Sequence, residues 1–217
     1  MTETPVEPSA LPEPVDEVTV LGGVGVVDLP SDASTPEAAG VAPIDTPEAT
    51  PIGVTGDALP FIDDPTGWTD AFSGLDGPIY WARLVSGEGA RIRRYHRPAT
   101  IVLFEVVALD RLARQWGEDV ALQSLLRVAR MLSRHIRSSD HAARIGAIRF
   151  GAYLPETNEI AAINFVERCR AAILRDLGTA GEIVTLAIGW AEPIDGDLDA
   201  AVAVAETRLA KEIEAAP

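Results

Sequence analysis

Apolar positions change their spacing several times along this chain, and each change marks a predicted element. Residues 69–85 read as a short helix or turn followed by a helix through 78–84. Residues 101–107, Ile-Val-Leu-Phe-Glu-Val-Val, are short, apolar and β-branched, which predicts a buried strand. Two helices follow, over 110–115 and 118–137. The second places Leu122, Leu125, Ala129, Leu132 and Ile136 at helical spacing. Two short strands, 142–145 and 150–154, flank Gly146-Ala147-Ile148-Arg149 and predict a hairpin. A helix over 158–174 has Pro155 ahead of it and Gly178 beyond it. Residues 183–191 predict another buried strand, and Asp197 or Asp199 caps a last helix ending near Glu214. The order β-α-α-β-β-α-β-α predicts an α/β fold with a mixed central sheet packed by helices.

Charge divides the chain in two. Of its 33 acidic residues, 13 precede Thr66, where no Lys or Arg occurs, so the rest carries 20 acidic against 18 basic residues. The net charge of −15 therefore belongs to the first 65 residues, which are also rich in Pro and Ala. Such a segment cannot bury enough apolar surface to offset the entropy of ordering it. We expect a disordered acidic tail over 1–65 and one domain over 66–217. Within the tail, residues 18–27 are β-branched enough to add a strand to a partner's sheet, but three glycines favour an unstructured segment. Its Gly22-Gly23-Val24-Gly25 cluster neither follows a strand nor opens a helix, so it is no phosphate loop.

The single Cys169 excludes an intrachain disulfide framework and reads as a buried thiol. No apolar run is long enough to span a bilayer and nothing resembles a secretory leader, so we expect a cytoplasmic protein without membrane insertion. Arg91, Arg93, Arg94 and Arg97 cluster before the first strand and read as a solvated turn. Without aromatic interleaving or a net basic domain, they do not indicate nucleic-acid binding.

Four segments in this order match a known layout. Asp70-Ala71-Phe72-Ser73-Gly74-Leu75 resembles the D-x-L-T-G-L opening of GGDEF domains, the diguanylate cyclases that condense two GTP into cyclic di-GMP. Residues 143–155, Ala-Arg-Ile-Gly-Ala-Ile-Arg-Phe-Gly-Ala-Tyr-Leu-Pro, are similar to that family's A-R-L-G-G-D-E-F-x-x-x-L-P hairpin. Thr185-Leu186-Ala187-Ile188-Gly189-Trp190-Ala191 resembles its T-x-S-I-G-V-A strand, and the last helix, with Ala205, Glu206 and Leu209, resembles its closing helix more weakly. The resemblance covers about Asp70 to Ile213 and implies the GGDEF, nucleotidyl-cyclase-like fold.

The family chemistry needs divalent metal, which hard carboxylate oxygens bind. By resemblance, Glu105 fills the position of the acid on the first strand. Ile148 stands where the hairpin's metal-binding acid belongs, and Arg149 replaces the second acid. Gly146 keeps the first signature glycine, while Ala147 replaces the second, which lets the backbone approach the nucleotide. The Asn and Asp that read guanine correspond to Ala113 and Leu122, and the phosphate-contacting Lys falls at Asp110. Metal, base and phosphate contacts are lost together, so we expect no catalytic residues, no metal and no cofactor. Arg149 can instead pair with Glu105, placing a cation where the metal sat.

Two features outside that site remain. Arg137-Ser138-Ser139-Asp140 stands five residues before Gly146, the position of the family's R-x-x-D inhibitory site. The resemblance makes Arg137 and Asp140 candidate contacts for cyclic di-GMP as a ligand, since a planar guanidinium suits both guanine and phosphate; the plainer reading has Asp140 capping a turn. Arg127, Arg130, Arg134 and Arg137 recur at three- and four-residue steps and form one basic stripe. Such a stripe is ordinarily a solvated face, but it shares this chain with an acidic tail that can lie over it, weakening with salt. Three readings of function follow: an inactive regulatory or scaffold module with a protein partner, reached through the tail or the stripe; a cyclic di-GMP receptor; and an active cyclase.

Overall fold

The structure, a computed structural model, describes residues 59–216. The expectations for the tail and for residues 18–27 thus fall largely or wholly outside the described residues.

Helix α1 (Pro78–Tyr95) starts with proline in its first turn, where a missing N–H costs nothing, and ends at His96 in the left-handed region (φ 51°). It runs eleven residues past the predicted end at 84, so Arg91, Arg93 and Arg94 lie on a helix and not in a turn. Gly89 is buried at a close approach to the Gly196 carbonyl, where a Cβ would sit 3.2 Å from the oxygen. Strand β1 (Ala99–Val107) leads into α2 (Leu109–Trp116) and α3 (Glu118–His135). Strands β2 (His141–Arg144) and β3 (Arg149–Pro155) form the hairpin. Helix α4 (Glu159–Leu177) is capped by the Asn158 side chain, which accepts from Ala161 N at 3.0 Å. A short 3-10 turn over Gly178–Glu182 delays β4 to Thr185–Ala191, two residues after the predicted start. Asp197, not Asp199, caps α5 (Leu198–Ala215), accepting from Ala200 N at 2.9 Å.

The four strands lie in the order β2-β3-β1-β4. All three strand pairings are antiparallel, where a mixed sheet was predicted; the sole parallel element among the described residues is the isolated bridge Asp76–Ala143 at the edge. Interleaved helices suggested parallel neighbours, but β1 pairs with β3 and β4, each of which runs back against it. Central β1 alternates its side chains between two cores. Ile101 and Leu103 face the layer of α1 and α5, with Trp81, Val85, Leu198 and Leu209. Val102, Phe104 and Val106 face the layer of α2, α3 and α4, with Leu112, Leu125, Leu132, Phe165 and Ile173. Each of these fully buried large side chains stabilises the fold by about 1.5–3 kcal/mol.

Two strand glycines set how closely helices approach. A Cβ on Gly151 would lie 2.8 Å from the Trp81 ring, and one on Gly189 would collide with the Ala205 carbonyl of α5. Cys169 is buried in the α3/α4 core, and burial pushes its thiol up to about 12. The ordered contacts also begin ahead of residue 66: Leu59, Phe61 and Ile62 are partly buried against the larger core. Apolar side chains within an acidic, proline-rich stretch account for this earlier start.

Candidate functional site

The site is built at the turn end of the β2–β3 hairpin, where β1 also ends. Antiparallel register places Glu105 directly opposite Arg149. Cross-strand neighbours of opposite charge attract, and here they meet: Arg149 Nε and Nη2 donate to Glu105 Oε2 at 2.9 and 2.5 Å. Both side chains are shielded, at 14% and 8% exposure. Ile148 turns into the larger core as a partly buried residue, and its carbonyl accepts from Val106 N at 3.1 Å, pinning the hairpin to β1.

Sequence reasoning gave no role to Arg144, yet this buried residue organises the hairpin. Its Nη1 donates to Asp70 Oδ1 at 3.1 Å, Nε and Nη2 donate to the Ala147 carbonyl at 3.2 and 2.8 Å, and Nη2 also reaches the Asp63 carbonyl at 2.6 Å. The guanidinium lies over the Phe72 ring, 5.0 Å from its centroid. Asp70 in turn closes the Ser73-Gly74-Leu75 turn: its Oδ2 accepts from Ser73 N at 2.8 Å and its carbonyl from Gly74 N. Burial alone would raise the Asp70 pKa, but the Ser73 side chain and backbone and the Arg144 charge together hold it below the usual aspartate value. The motif similarity at Asp70 and Arg144 was the available signal, since two motifs apart in sequence become one buried ion pair.

The donor set does not fit a divalent metal. Glu105 is matched by a guanidinium at 2.5 Å, Ile148 offers no oxygen from its side chain, and among the described residues no cluster of three or more His, Cys, Asp or Glu side chains could hold an ion. Ala113 and Leu122 stand on α2 and α3, both partly buried and both without a side-chain hydrogen-bonding group for a base edge. Asp110, the third departure, pairs with Arg114 at 2.6 Å along α2. Gly146 and Ala147 form the tip itself.

The Arg137–Asp140 turn adopts the plainer geometry. Asp140 is buried, and its Oδ2 accepts from Arg137 N at 2.8 Å while Oδ1 accepts from Ser139 Oγ at 3.2 Å. Its carboxylate thus closes the turn that follows α3, together with the Asp140 N–H donated to the Arg137 carbonyl. The Arg137 side chain is exposed and meets no partner among the described residues. On the stripe, Arg127 donates to the Asp176 carbonyl and Arg134 stands 4.0 Å from the Asp176 carboxylate, so α4 already engages two of the four arginines. A groove of about 700 Å³ lies between the end of α1 and the sheet edge, lined by Arg91, Arg94, Arg97, Ser139 and His141 among others.

Comparison with known proteins agrees with this architecture. Residues 68–212 match the model of the diguanylate cyclase GGDEF domain family. A probable diguanylate cyclase of Escherichia coli K12, DgcC, is 25% identical over 99 residues, covering 46% of this chain and 27% of its own. The chain thus spans about a quarter of that relative's length. Diguanylate cyclase SiaD of Pseudomonas aeruginosa, solved in complex with its activator SiaC, superposes with a TM-score of 0.61 at 24% identity, over 68% of this chain and 58% of its own. The GGDEF domain of DgcB from Caulobacter crescentus, solved with c-di-GMP, gives a TM-score of 0.63 at 17% identity, over 69% and 92%. With its fold, its ordered motifs and a family match across most of its length, this chain belongs to the GGDEF domain family.

Proposed function

We propose that this GGDEF domain is catalytically inactive and acts as a regulatory or scaffold module through protein contacts. The carrying observation is the Glu105–Arg149 pair. A cation is covalently built into the position where the family chemistry needs a metal, and the remaining acid is consumed in matching it. Attack of a ribose hydroxyl on an α-phosphate then lacks the charge neutralisation that metal supplies. The same fold in SiaD is seen with a protein activator, which supports a protein partner here. The acidic segment and the exposed arginines of α3 are the surfaces offered to it. Incubation of the chain with GTP and Mg²⁺, with product separated by chromatography, is expected to yield no cyclic di-GMP; any product above a no-protein control overturns the reading.

One observation favours a second reading, a cyclic di-GMP receptor. The Arg137 guanidinium is exposed and uncommitted among the described residues, and Ser139, two residues further on, lines the groove. Calorimetry decides between the two. Heat on adding cyclic di-GMP to the wild type, lost in Arg137→Ala, establishes the receptor; no heat in the wild type removes it.

A further inference from the structure

The tip of the β2–β3 hairpin is covered by the chain's own acidic segment. Asp64 Oδ1 accepts from Ala147 N at 2.7 Å, and the neighbouring Asp63 carbonyl accepts from Arg144 Nη2 at 2.6 Å. Three other amides at the tip have partners within the hairpin: Gly146 N and Ile145 N both donate to the Arg149 carbonyl, and Arg149 N to the Gly146 carbonyl. Ala147 N alone depends on a carboxylate from outside it. The Ala147 amide, whose own carbonyl is held by the Arg144 guanidinium, takes a carboxylate and is thus a seat for an anion.

We propose that residues 59–65 form a displaceable strap over this seat, and that the uncovered seat takes an extended, aspartate-bearing segment of an acidic partner. The observed occupant defines the ligand chemistry: one carboxylate for the Ala147 amide and one preceding carbonyl for Arg144. The strap is held lightly. It has a single internal backbone bond, Ile62 N to the Leu59 carbonyl, and its anchors Leu59, Phe61 and Ile62 are only partly buried. Asp63 and Asp64 themselves are exposed. Its departure strands no buried charge, because Arg144 keeps both Asp70 Oδ1 and the Ala147 carbonyl. Local opening well below the cost of global unfolding follows from such sparse contacts.

This inference does not rest on the absence of cyclase activity, because one amide reads it whether or not GTP turns over. Amide hydrogen exchange on the full chain, resolved by NMR, is the test. In the wild type, Ala147 should exchange at least tenfold faster than Val106, whose amide is tied to Ile148, yet at least tenfold slower than a free amide. Asp64→Ala should abolish the Ala147 protection and leave Val106 unchanged, which also shows that the variant folds. A peptide with the sequence of residues 59–65, added to the Asp64→Ala chain, should restore protection at Ala147. Ala147 exchanging as slowly as Val106 in the wild type would show a strap that never opens. Protection that survives Asp64→Ala, or a peptide without effect, would equally overturn the proposal.

Discussion

The signature hairpin and the outer face of α3 are both rich in arginine, but they use it in different ways. At the hairpin, Arg144 and Arg149 are shielded and bonded to carboxylates that the fold also shields, Asp70 and Glu105. On α3 and just past its end, Arg127, Arg130, Arg134 and Arg137 are exposed, and their contacts are a backbone carbonyl and one ion pair at 4.0 Å. The same side chain is therefore structural in one region and available in the other. A guanidinium out of water cannot lose its proton, so its partner is obligatory; on a surface, water replaces the partner at little cost.

The comparison breaks most visibly at Arg144. Replacing it with alanine leaves Asp70 buried without its cation and the Ala147 carbonyl without its donors. A loss of about 3–5 kcal/mol is expected, or roughly 10 °C in Tm, measured by urea and thermal unfolding. A loss under about 1 kcal/mol would place Arg144 with the surface arginines.

Arg149 comes next. It sits at the strand end, nearer solvent, so Arg149→Ala should cost about 2–3 kcal/mol by the same assay, mostly from the stranded Glu105. A sharper form restores acids. In the Ile148→Asp, Arg149→Glu double variant, two new carboxylates join Glu105 at the hairpin and repel it and one another, so the apo protein should be less stable. Added Mg²⁺ or Mn²⁺ should raise its Tm and leave the wild type unmoved. No ion-dependent rise would mean that more than these two positions separate this site from a metal centre.

Most of the fold was legible because its signals are periodic and local. The short apolar run of β1, the long apolar stripe of α3 and the cap on α5 at Asp197 each follow from a few neighbouring residues. The Glu105–Arg149 pair was legible as well, because motif similarity assigns both residues to facing positions. What escaped the sequence depended on distance. Arg144 and Asp70 lie 74 residues apart, and nothing local in either motif announces a shared buried pair. The strap was hidden for a different reason: composition averaged over 65 residues obscured Leu59, Phe61 and Ile62 at its end. Asp140 shows the opposite case, a motif match whose carboxylate the local turn has already engaged.

A smaller effect should appear in acid. Asp70 has a folded pKa below its unfolded value near 3.9, so its ion pair stabilises the protein fully above that value. The contribution is lost as pH falls through the lower folded pKa, when the carboxyl takes up a proton. The stability difference between wild type and Asp70→Asn, followed by urea unfolding, should therefore be constant near neutral pH and shrink below about pH 4. A difference that stays flat to pH 2 would show that Asp70 works through its turn hydrogen bonds and not through its charge.

The smallest effects belong to α3, and their smallness is what gives the comparison its force. Arg130→Ala removes no contact among the described residues and should change stability by less than about 0.5 kcal/mol. Arg134→Ala removes a long, exposed ion pair and should stay within about 1 kcal/mol. Arg127→Ala should be the largest of the three, because its donor leaves the Asp176 carbonyl at the end of α4 to water. If α3 is a contact face, neutralising all four arginines should leave the urea midpoint almost unchanged while removing salt-sensitive binding to an acidic partner. The two readouts separate because a surface charge enters binding through its field and enters folding hardly at all. A variant that unfolds as readily as Arg144→Ala would mean that these arginines hold α3 to α4, and that the face is a seam of the fold.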